Sequence, residues 1–480
     1  MLSQCGTEES AEARFNQIIQ SFTNKIVFEG EQVKVNYNAG AALYPVHGKT
    51  PEQLLAMLDE AHIQAKVAGG AHSLCFLNAV AASQSMSRFN FRSEIERALQ
   101  AQEFELHFQP QVYSDSVRVS GCEALIRWHH PVKGFISPME FIPIAEETDL
   151  IQNVGNWVLK SAFTHLALWK DAVPKNFRMA INLSAKQLIS KDLLPYIEAL
   201  IKTHGINPKM LEFEITESAI VGNLEECIGL LSQLRSMGCA ISIDDFGTGY
   251  SNLGYLKQFP LDRLKIDRCF VKEITHSAED ALLSKLIVQI SQTLGLKVVA
   301  EGVETEAQYH LLRRLNCDYL QGYYFSKPVP ADEFLAILKS PSWREVETPV
   351  IGQDTLLIVD DEKAVISSLI RLFRRSKYHV ISTTSAKEAL ELLAVQPVGV
   401  LLCDQRMPEM SGTDLLRRVK KMYPDTVRIM LSGYAEIDAV TKAVNEGAIY
   451  KFFLKPWNDE ELVAEVNSAF LYYHAKLADT

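Results

Sequence analysis

The sequence predicts an α/β protein in three parts: a short α+β segment, a closed (β/α)8 TIM-like barrel, and a doubly wound parallel sheet. Three observations carry this. Eight apolar, strand-like runs alternate with helical patterns across residues 88–340, about the 250 residues such a barrel takes. The periodicity then breaks over SPSWREVETPVIGQD (340–354), a polar stretch with two prolines that reads as a linker. Beyond it, buried strand runs alternate again with helices and end in acids, which implies a parallel sheet with its site at the carboxyl edge. Length agrees, since 480 residues suggest roughly three domains. The expected boundaries are 1–85, 88–340, a linker at 341–353, and 354–475.

Composition sets limits on function. Hydrophobic content of 47% and charged content of 22% are those of an ordinary globular protein. A net charge of −11 argues against coating a nucleic acid polymer, yet permits a small anion held through metal ions. Cys5, Cys75, Cys122, Cys227, Cys239, Cys269, Cys317 and Cys403 are scattered, with no CxxC pair to suggest zinc or redox chemistry. No apolar run is long enough to span a bilayer and no signal peptide is evident. The expectation is a reduced, cytoplasmic protein without direct membrane insertion.

In the first segment, VKVNYNAGAALYP (33–45) reads as a strand ending in a turn, and PEQLLAMLDEAHIQAKVAGG (51–70) as an amphipathic helix with a glycine stop. This order resembles the C-terminal half of a GGDEF (diguanylate cyclase) domain. The GGDEF signature and the first half of that domain are absent. The resemblance therefore implies a truncated, degenerate packing module without cyclase activity.

The barrel strands are FELHFQPQV (104–112), RVSGCEALIRW (118–128), FRMAINLS (177–184), MLEFEITES (210–218), AISIDDFG (240–247), RLKID (263–267), KVVAEGVE (297–304) and YLQGYYFS (319–326). Seven of the eight stop at a charged or amide residue: Glu123, Asn182, Glu214 with Glu217, Asp244 with Asp245, Lys265, Glu301 and Gln321. In a barrel, carboxyl strand ends converge on one mouth. Alone, ISIDDFGTGYSNL (241–253) is equally an acidic turn or half of a metal site. Carboxylates crowded into one mouth repel each other unless hard cations relieve them, and all-oxygen ligands favour Mg2+ or Mn2+ over zinc. Two metals with a lysine beside them point to phosphoester hydrolysis. His129 and His130, beside Pro131, read as loop, and Tyr319, Tyr323 and Tyr324 as packing. By residue type alone Arg127 reads as a surface ion-pair residue. Gly247 and Gly249 serve a plain turn or a lid equally well.

These motifs, EAL (123–125) in CEALIRW, INLS, FEITES, DDFGTGYSNL, LKID, AEGVET and QGYYFSKP, resemble the EAL-domain cyclic di-GMP phosphodiesterases over the whole region. The resemblance implies two ions, one held by Glu123, Asn182, Glu214 and Asp244, the second by Asp245 beside Asp244. It implies catalytic roles for Lys265, which orients and helps activate the attacking water, for Glu301 as general base or water-positioning acid, and for Gln321 nearby. Gln109 and Arg127 would contact substrate, Glu304 would support the far side of the pocket, and Glu217 would brace the DDFGTGYSNL loop. The implied reaction is hydrolysis of one phosphodiester of cyclic di-GMP to linear pGpG.

In the last part, LLIVDDE ends at Asp360 and Asp361, VGVLLCDQRMP at Asp404, VRIMLSG at Ser432 and IYKFFLKP at Lys455. Three acids, a hydroxyl and a lysine on one edge form a phosphoryl-transfer pocket. The segment resembles the receiver domain of two-component response regulators. That implies Asp404 as phosphoacceptor, one Mg2+ on Asp360 and Asp361, and Ser432, Lys455 and Phe452 as switch residues. Implied partners are cyclic di-GMP, a sensor histidine kinase or phosphotransfer protein, and a second copy in a homodimer. The alternatives are a non-catalytic cyclic di-GMP sensor or an interaction scaffold.

Overall fold

The structure, a computed structural model, describes residues 7–23, 27–28, 31–32, 38–67, 73–76, 91–220, 224–247, 256–340, 354–433 and 447–478. The expected strand start at 33–37, the lid positions 248–253 and the linker 341–353 lie outside these residues. Two compact units form, Met1–Glu105 with Arg127–Trp157, and Leu106–Ile126 with Val158–Thr480.

In the first unit, β1 (Asn38–Ala41) and β2 (Ser73–Phe76) pair in parallel, joined by helix α1 (Pro51–Val67). Met57, Ala61 and Ala65 recur at helical spacing and are buried, the stripe expected of an amphipathic helix. Further along, Trp128 is fully buried among Phe91, Phe104 and Phe141, and its indole N–H donates to Glu103 at 3.0 Å. His130 accepts from the backbone N–H groups of Val132 and Lys133 at 3.1 and 3.0 Å, so it closes a turn.

Apart from residues 104–105, 127–130 and Gly134–Ile136, which fall in the first, the second unit contains the barrel. Its strands are β3 (Phe104–Tyr113), β4 (Val119–His130), β6 (Arg178–Leu183), β7 (Leu211–Thr216), β8 (Ala240–Phe246), β9 (Arg263–Ile266), β10 (Lys297–Ala300) and β11 (Tyr319–Gln321); β5 (Gly134–Ile136) pairs with the far end of β4. The ring order is β3-β11-β10-β9-β8-β7-β6-β4, closed by β3 against β4. From β4 round to β11 every neighbour is parallel, but β3 runs antiparallel to β11. The closed, eight-stranded TIM-like barrel is as expected, and the correction to its (β/α)8 repeat is the reversed first strand. β3 and β4 are joined by a tight turn, with Tyr113 N–H bonded to Arg118 O at 2.9 Å, and a turn reverses direction where a crossover helix would not. A second correction concerns Glu123. It lies mid-strand, because β4 runs on to His130 to pair with β5.

The same unit holds a five-stranded parallel sheet of β12 (Thr355–Val359), β13 (His379–Thr383), β14 (Val400–Asp404), β15 (Val427–Ser432) and β16 (Lys451–Leu454), in the order β13-β12-β14-β15-β16. Leu356, Ile358, Val400, Leu402, Ile429 and Leu431 fill its core, the near-continuous apolar runs of a sheet covered on both faces. It lies against two barrel helices, α2 (Ala278–Thr293) and α3 (Glu306–Arg314), through its own α4 (Ala386–Val395) and α5 (Gly412–Met422). The Arg314 guanidinium donates to the carbonyls of Leu393, at 2.6 Å, and Ala394 at the end of α4 and lies 5.4 Å from the Tyr423 ring centroid. Arg418 of α5 donates to His276 O at 2.8 Å, and His276 pairs with Glu391 of α4 at 3.4 Å. No helix among the described residues is long and apolar enough to cross a membrane.

Candidate active site

Strand alternation sends every second side chain to one face. Around the ring this brings Glu123, Glu214, Asp244, Lys265 and Gln321 together. Lys265 is wholly buried at the centre, with its Nζ 2.7 Å from Glu214, 3.2 Å from Asp244, 3.6 Å from Glu123 and 2.5 Å from Glu301. Glu301 follows β10, and its backbone N–H is fixed on Ile266 O at 3.1 Å. Gly322 lets the neighbouring segment approach β11, since a Cβ there would lie 2.1 Å from Val303 O. Gln321 donates to Glu123 at 2.6 Å and Asn182 to the same carboxylate at 2.7 Å.

One ammonium cannot neutralise four carboxylates, and proton affinities show the imbalance. Burial drives Glu214 well above the carboxylate range, and the charges of Glu123 and Asp244 add to it against the pull of Lys265. Burial likewise pushes Glu301 up to about 8, with Asp244 and Glu123 contributing. Glu123 goes the other way: burial would raise it, but the Lys265 charge and the donors from Gln321 and Asn182 hold it below its ordinary value. Burial would also discharge Lys265, yet the surrounding acids raise it well above the ordinary lysine value and keep it protonated. The site therefore stores protons where positive charge is short.

Divalent cations fit that shortage. Carboxylate oxygens of Glu123, Glu214 and Asp244 all lie within 4.8 Å of one another. Glu214 Oε1 is buried with no hydrogen-bond partner. The donors are all oxygens, the set that suits Mg2+ or Mn2+. Asp245 does not join this cluster. Its backbone takes a left-handed turn at φ 54°, and its carboxyl meets that of Asp267. Two carboxyls sharing a hydrogen bond need a proton, and Asp245 is pushed up to about 6 by burial, then by Asp244 and Asp267. Asp267 escaped the sequence reading although it ends LKID, one step past the strand and two past Lys265.

The remaining residues divide. Gln109 accepts from Gln321 at 3.1 Å and donates to Ser326 O at 3.2 Å, so it joins the cluster through Gln321. Glu217 accepts from Gly247 N–H at 3.4 Å, at the root of the DDFGTGYSNL loop. Glu304 stands apart from the carboxylates and pairs with Arg268 at 2.6 Å in a partly exposed bridge. Arg127 is half-buried on β4 and belongs to the first unit.

A second cluster sits at the carboxyl edge of the five-stranded sheet. Carboxylate oxygens of Asp360, Asp361 and Asp404 lie within 4.8 Å of one another. Lys455 reaches both Asp360, at 2.9 Å, and Asp404, at 2.5 Å. Asp361 is exposed and Ser432 is buried next along the edge, while Phe452 is half-buried on β16. Gly412 allows α5 to start against Asp404, where a Cβ would meet Asp404 O at 2.1 Å. Both clusters satisfy the donor requirements of a hard divalent ion.

Comparison with known proteins covers the regions that hold both clusters. Residues 92–328 match the EAL domain family, and residues 356–467 match the response regulator receiver domain family. Among curated relatives, the bifunctional diguanylate cyclase/cyclic di-GMP phosphodiesterase MucR of Pseudomonas aeruginosa is 38% identical over 320 residues, 67% of this chain and 47% of that protein. The cyclic di-GMP phosphodiesterase NbdA of the same organism is 35% identical over 338 residues, 70% of this chain and 43% of that protein. The chain thus spans about half the length of the curated relatives it matches. Among solved structures, the PaMucR phosphodiesterase in its c-di-GMP complex is 42% identical, with a TM-score of 0.50, over 51% of this chain and 99% of that one. The EAL enzyme Bd1971 in its cGMP-bound form is 31% identical, with a TM-score of 0.54, over 61% of this chain and 80% of that one.

Proposed function

We propose that this chain, which belongs to the EAL domain family and carries a response regulator receiver domain in series, hydrolyses cyclic di-GMP to linear pGpG under control of receiver phosphorylation. The observation that carries the reading is the buried Lys265 ringed by Glu123, Glu214, Asp244 and Glu301. Glu123, Asn182, Glu214 and Asp244 would hold one ion, and Asp245 with Asp267 a second beside Asp244. Bound Mg2+ or Mn2+ supplies polarisation of the phosphate and a nucleophilic water at neutral pH.

The chain's own groups do the rest. Lys265 stays protonated and orients the attacking water and a phosphate oxygen. Glu301, in its ionised form, takes the water proton. The water oxygen bonds to phosphorus, the bond from phosphorus to the ribose 3′ oxygen breaks, and that oxygen takes up the proton that Glu301 then gives back, so Glu301 ends ionised as it began. Gln109 and Arg127 would contact the substrate and Glu304 would support the pocket. Glu217, bonded at Gly247, would couple the following loop to Asp245.

In the receiver, Asp360, Asp361 and Asp404 would hold one Mg2+. Asp404 attacks the phosphorus of a phosphohistidine on a kinase or phosphotransfer protein, the P–N bond breaks and an acyl phosphate forms. Lys455, already on Asp404, then meets the added oxygens, and Ser432 and Phe452 would move with them. The α4 and α5 contacts with α2 and α3 support transmission into the barrel. A second copy as dimer partner belongs to the same reading, as does a GGDEF-like origin for residues 1–85, which the β1–α1–β2 order supports.

The test is direct. Purified protein incubated with cyclic di-GMP and Mg2+ should yield pGpG by chromatography. Binding without product over hours would instead make the chain a cyclic di-GMP receptor.

A further inference from the structure

Beneath the carboxylates the barrel interior holds a second polar layer. Glu212 lies two residues before Glu214 on β7, and Arg263 two before Lys265 on β9. Both are essentially unexposed, and they pair at 2.8 Å. Arg263 also lies 4.1 Å from the Tyr319 ring centroid and donates to Gln111 Oε1 at 3.4 Å. Gln111 Nε2 donates to Gln321 Oε1 at 3.0 Å. Gln321 Nε2 in turn donates to Glu123 at 2.6 Å and to Gln109 Oε1 at 3.1 Å, and Gln109 Nε2 donates to Ser326 O.

A glutamine amide is nearly symmetric in shape, so packing alone does not decide which end faces which neighbour. Hydrogen bonding does. A guanidinium only donates, so it holds the Gln111 oxygen towards Arg263 and leaves the Gln111 nitrogen for Gln321. Gln321 must then present its oxygen below and its nitrogen above, to a carboxylate that only accepts. The far end runs the same way, because Ser326 O also only accepts. Every link of the chain has one consistent direction, and reversing it would press the Gln321 oxygen against the Glu123 carboxylate in a water-poor interior.

The geometry points to Arg263, held by Glu212, as a positioning residue: through Gln111 it sets the direction of the Gln321 amide and so keeps a donor on Glu123. The inference deepens the reading of Glu123 as an ion ligand and rests on it for its consequence, an oriented carboxylate ready for the ion.

Gln111→Glu tests the direction. The new carboxylate satisfies Arg263 but can only accept, so Gln321 must turn its nitrogen down and its oxygen towards Glu123. Neutron diffraction from deuterated crystals of both proteins locates the deuterons. They should face Glu123 and Gln109 in the parent, and residue 111 in the variant. The same Gln321 orientation in both would overturn the proposal, whether or not an ion binds. Mn2+ titration adds the consequence: affinity should fall roughly 10-fold or more in Gln111→Glu, as for loss of a ligand-orienting partner. Gln111→Met should lose less. A packing or bulk-charge role predicts the reverse order, since Glu is isosteric and adds a negative charge that attracts cations. Should Gln111→Glu fail to fold, Glu212→Leu with Arg263→Met removes the donor and its counterion at similar volume. Its crystals should then show Gln321 no longer held with its nitrogen on Glu123, and an unchanged amide would refute the assignment. Absence of Mn2+ binding by the parent would sink the metal reading and leave diffraction to decide this inference alone.

Discussion

The barrel mouth and the receiver edge use the same parts, acids at strand ends with a lysine between them, in opposite settings. Lys265 is fully buried and touches four carboxylates; Lys455 is about a quarter exposed and touches two, Asp360 and Asp404. In the barrel the crowded charges stay out of water, and protons or ions must balance them. At the sheet edge Asp361 stands in solvent, while Asp360 and Asp404 beside it are buried. On the proposed function, the enclosed arrangement would stabilise a reaction and the edge arrangement would receive a phosphoryl group. The difference lies in depth rather than in residue type.

The largest effect should come from breaking the enclosed site. Glu301→Gln keeps shape but cannot take a proton, so turnover should fall roughly 100- to 10,000-fold, the usual weight of a general base. Cyclic di-GMP binding, followed by calorimetry, should persist. Retention of full turnover would assign the proton to another group. At the edge site, Asp404→Asn should abolish labelling by acetyl phosphate and leave the barrel chemistry intact. Where acetyl phosphate changes turnover of the parent, by roughly 5- to 150-fold if the coupling is ordinary, the variant should show no response. A response surviving in Asp404→Asn would place the control elsewhere.

The two regions also differed in how well sequence revealed them. Receiver and barrel strands alike were visible because apolar runs ended in acids, and Lys265, Asp244 and Glu214 fell where strand ends converge. Glu123 lies beside Glu214 and Asp244 but not at a strand end as expected, because a hairpin partner, β5, prolongs β4 beyond it. The reversal of β3 depends on a turn at 114–118 that carries no glycine and hides inside a run of ordinary residues. Arg263 and Glu212 were passed over for a physical reason. At period two beside Lys265 and Glu214 they read as one more polar position, and only ring closure shows that they face each other. The resemblance implies a second ion on Asp245; the structure adds that its backbone is left-handed and its carboxyl meets Asp267, a partner no spacing rule indicated.

Titration sharpens the contrast further. Glu301 is raised from 4.5 to about 8 in the folded, ion-free protein. A raised carboxyl favours the fold while protonated, so its contribution is full below about pH 4.5 and is lost as pH rises through 8. Ion-free protein should therefore melt progressively lower between pH 5 and 8.5 than Glu301→Gln does, by about 2–4 °C for each kcal/mol lost. Saturating Mg2+ should remove that slope, because the ion takes the place of the proton. A melting difference that is flat with pH would mean that Glu301 is already ionised in the fold.

The smallest effect is expected where the two regions meet. Arg314 is desolvated at the end of α3, and burial lowers its proton affinity. Its compensation is the pair of carbonyls ending α4, where a helix carries partial negative charge, together with the Tyr423 ring. Arg314→Ala removes a cation that touches neither cluster, so basal hydrolysis should stay within about twofold, while stability drops by about 1.5–3 kcal/mol, the range for a hydrogen bond to a charged group. The informative readout is the response to acetyl phosphate. Asp404 connects to this contact through Gln405, whose side chain holds the N–H and hydroxyl of Thr413 at the start of α5, and α5 carries Arg418 onto His276. If signal travels along α4 and α5, Arg314→Ala should still be labelled on Asp404 yet lose most of the change in turnover. Full labelling with a full response would separate the contact from the signal, and would direct attention to the opposite edge of the sheet, beyond β16.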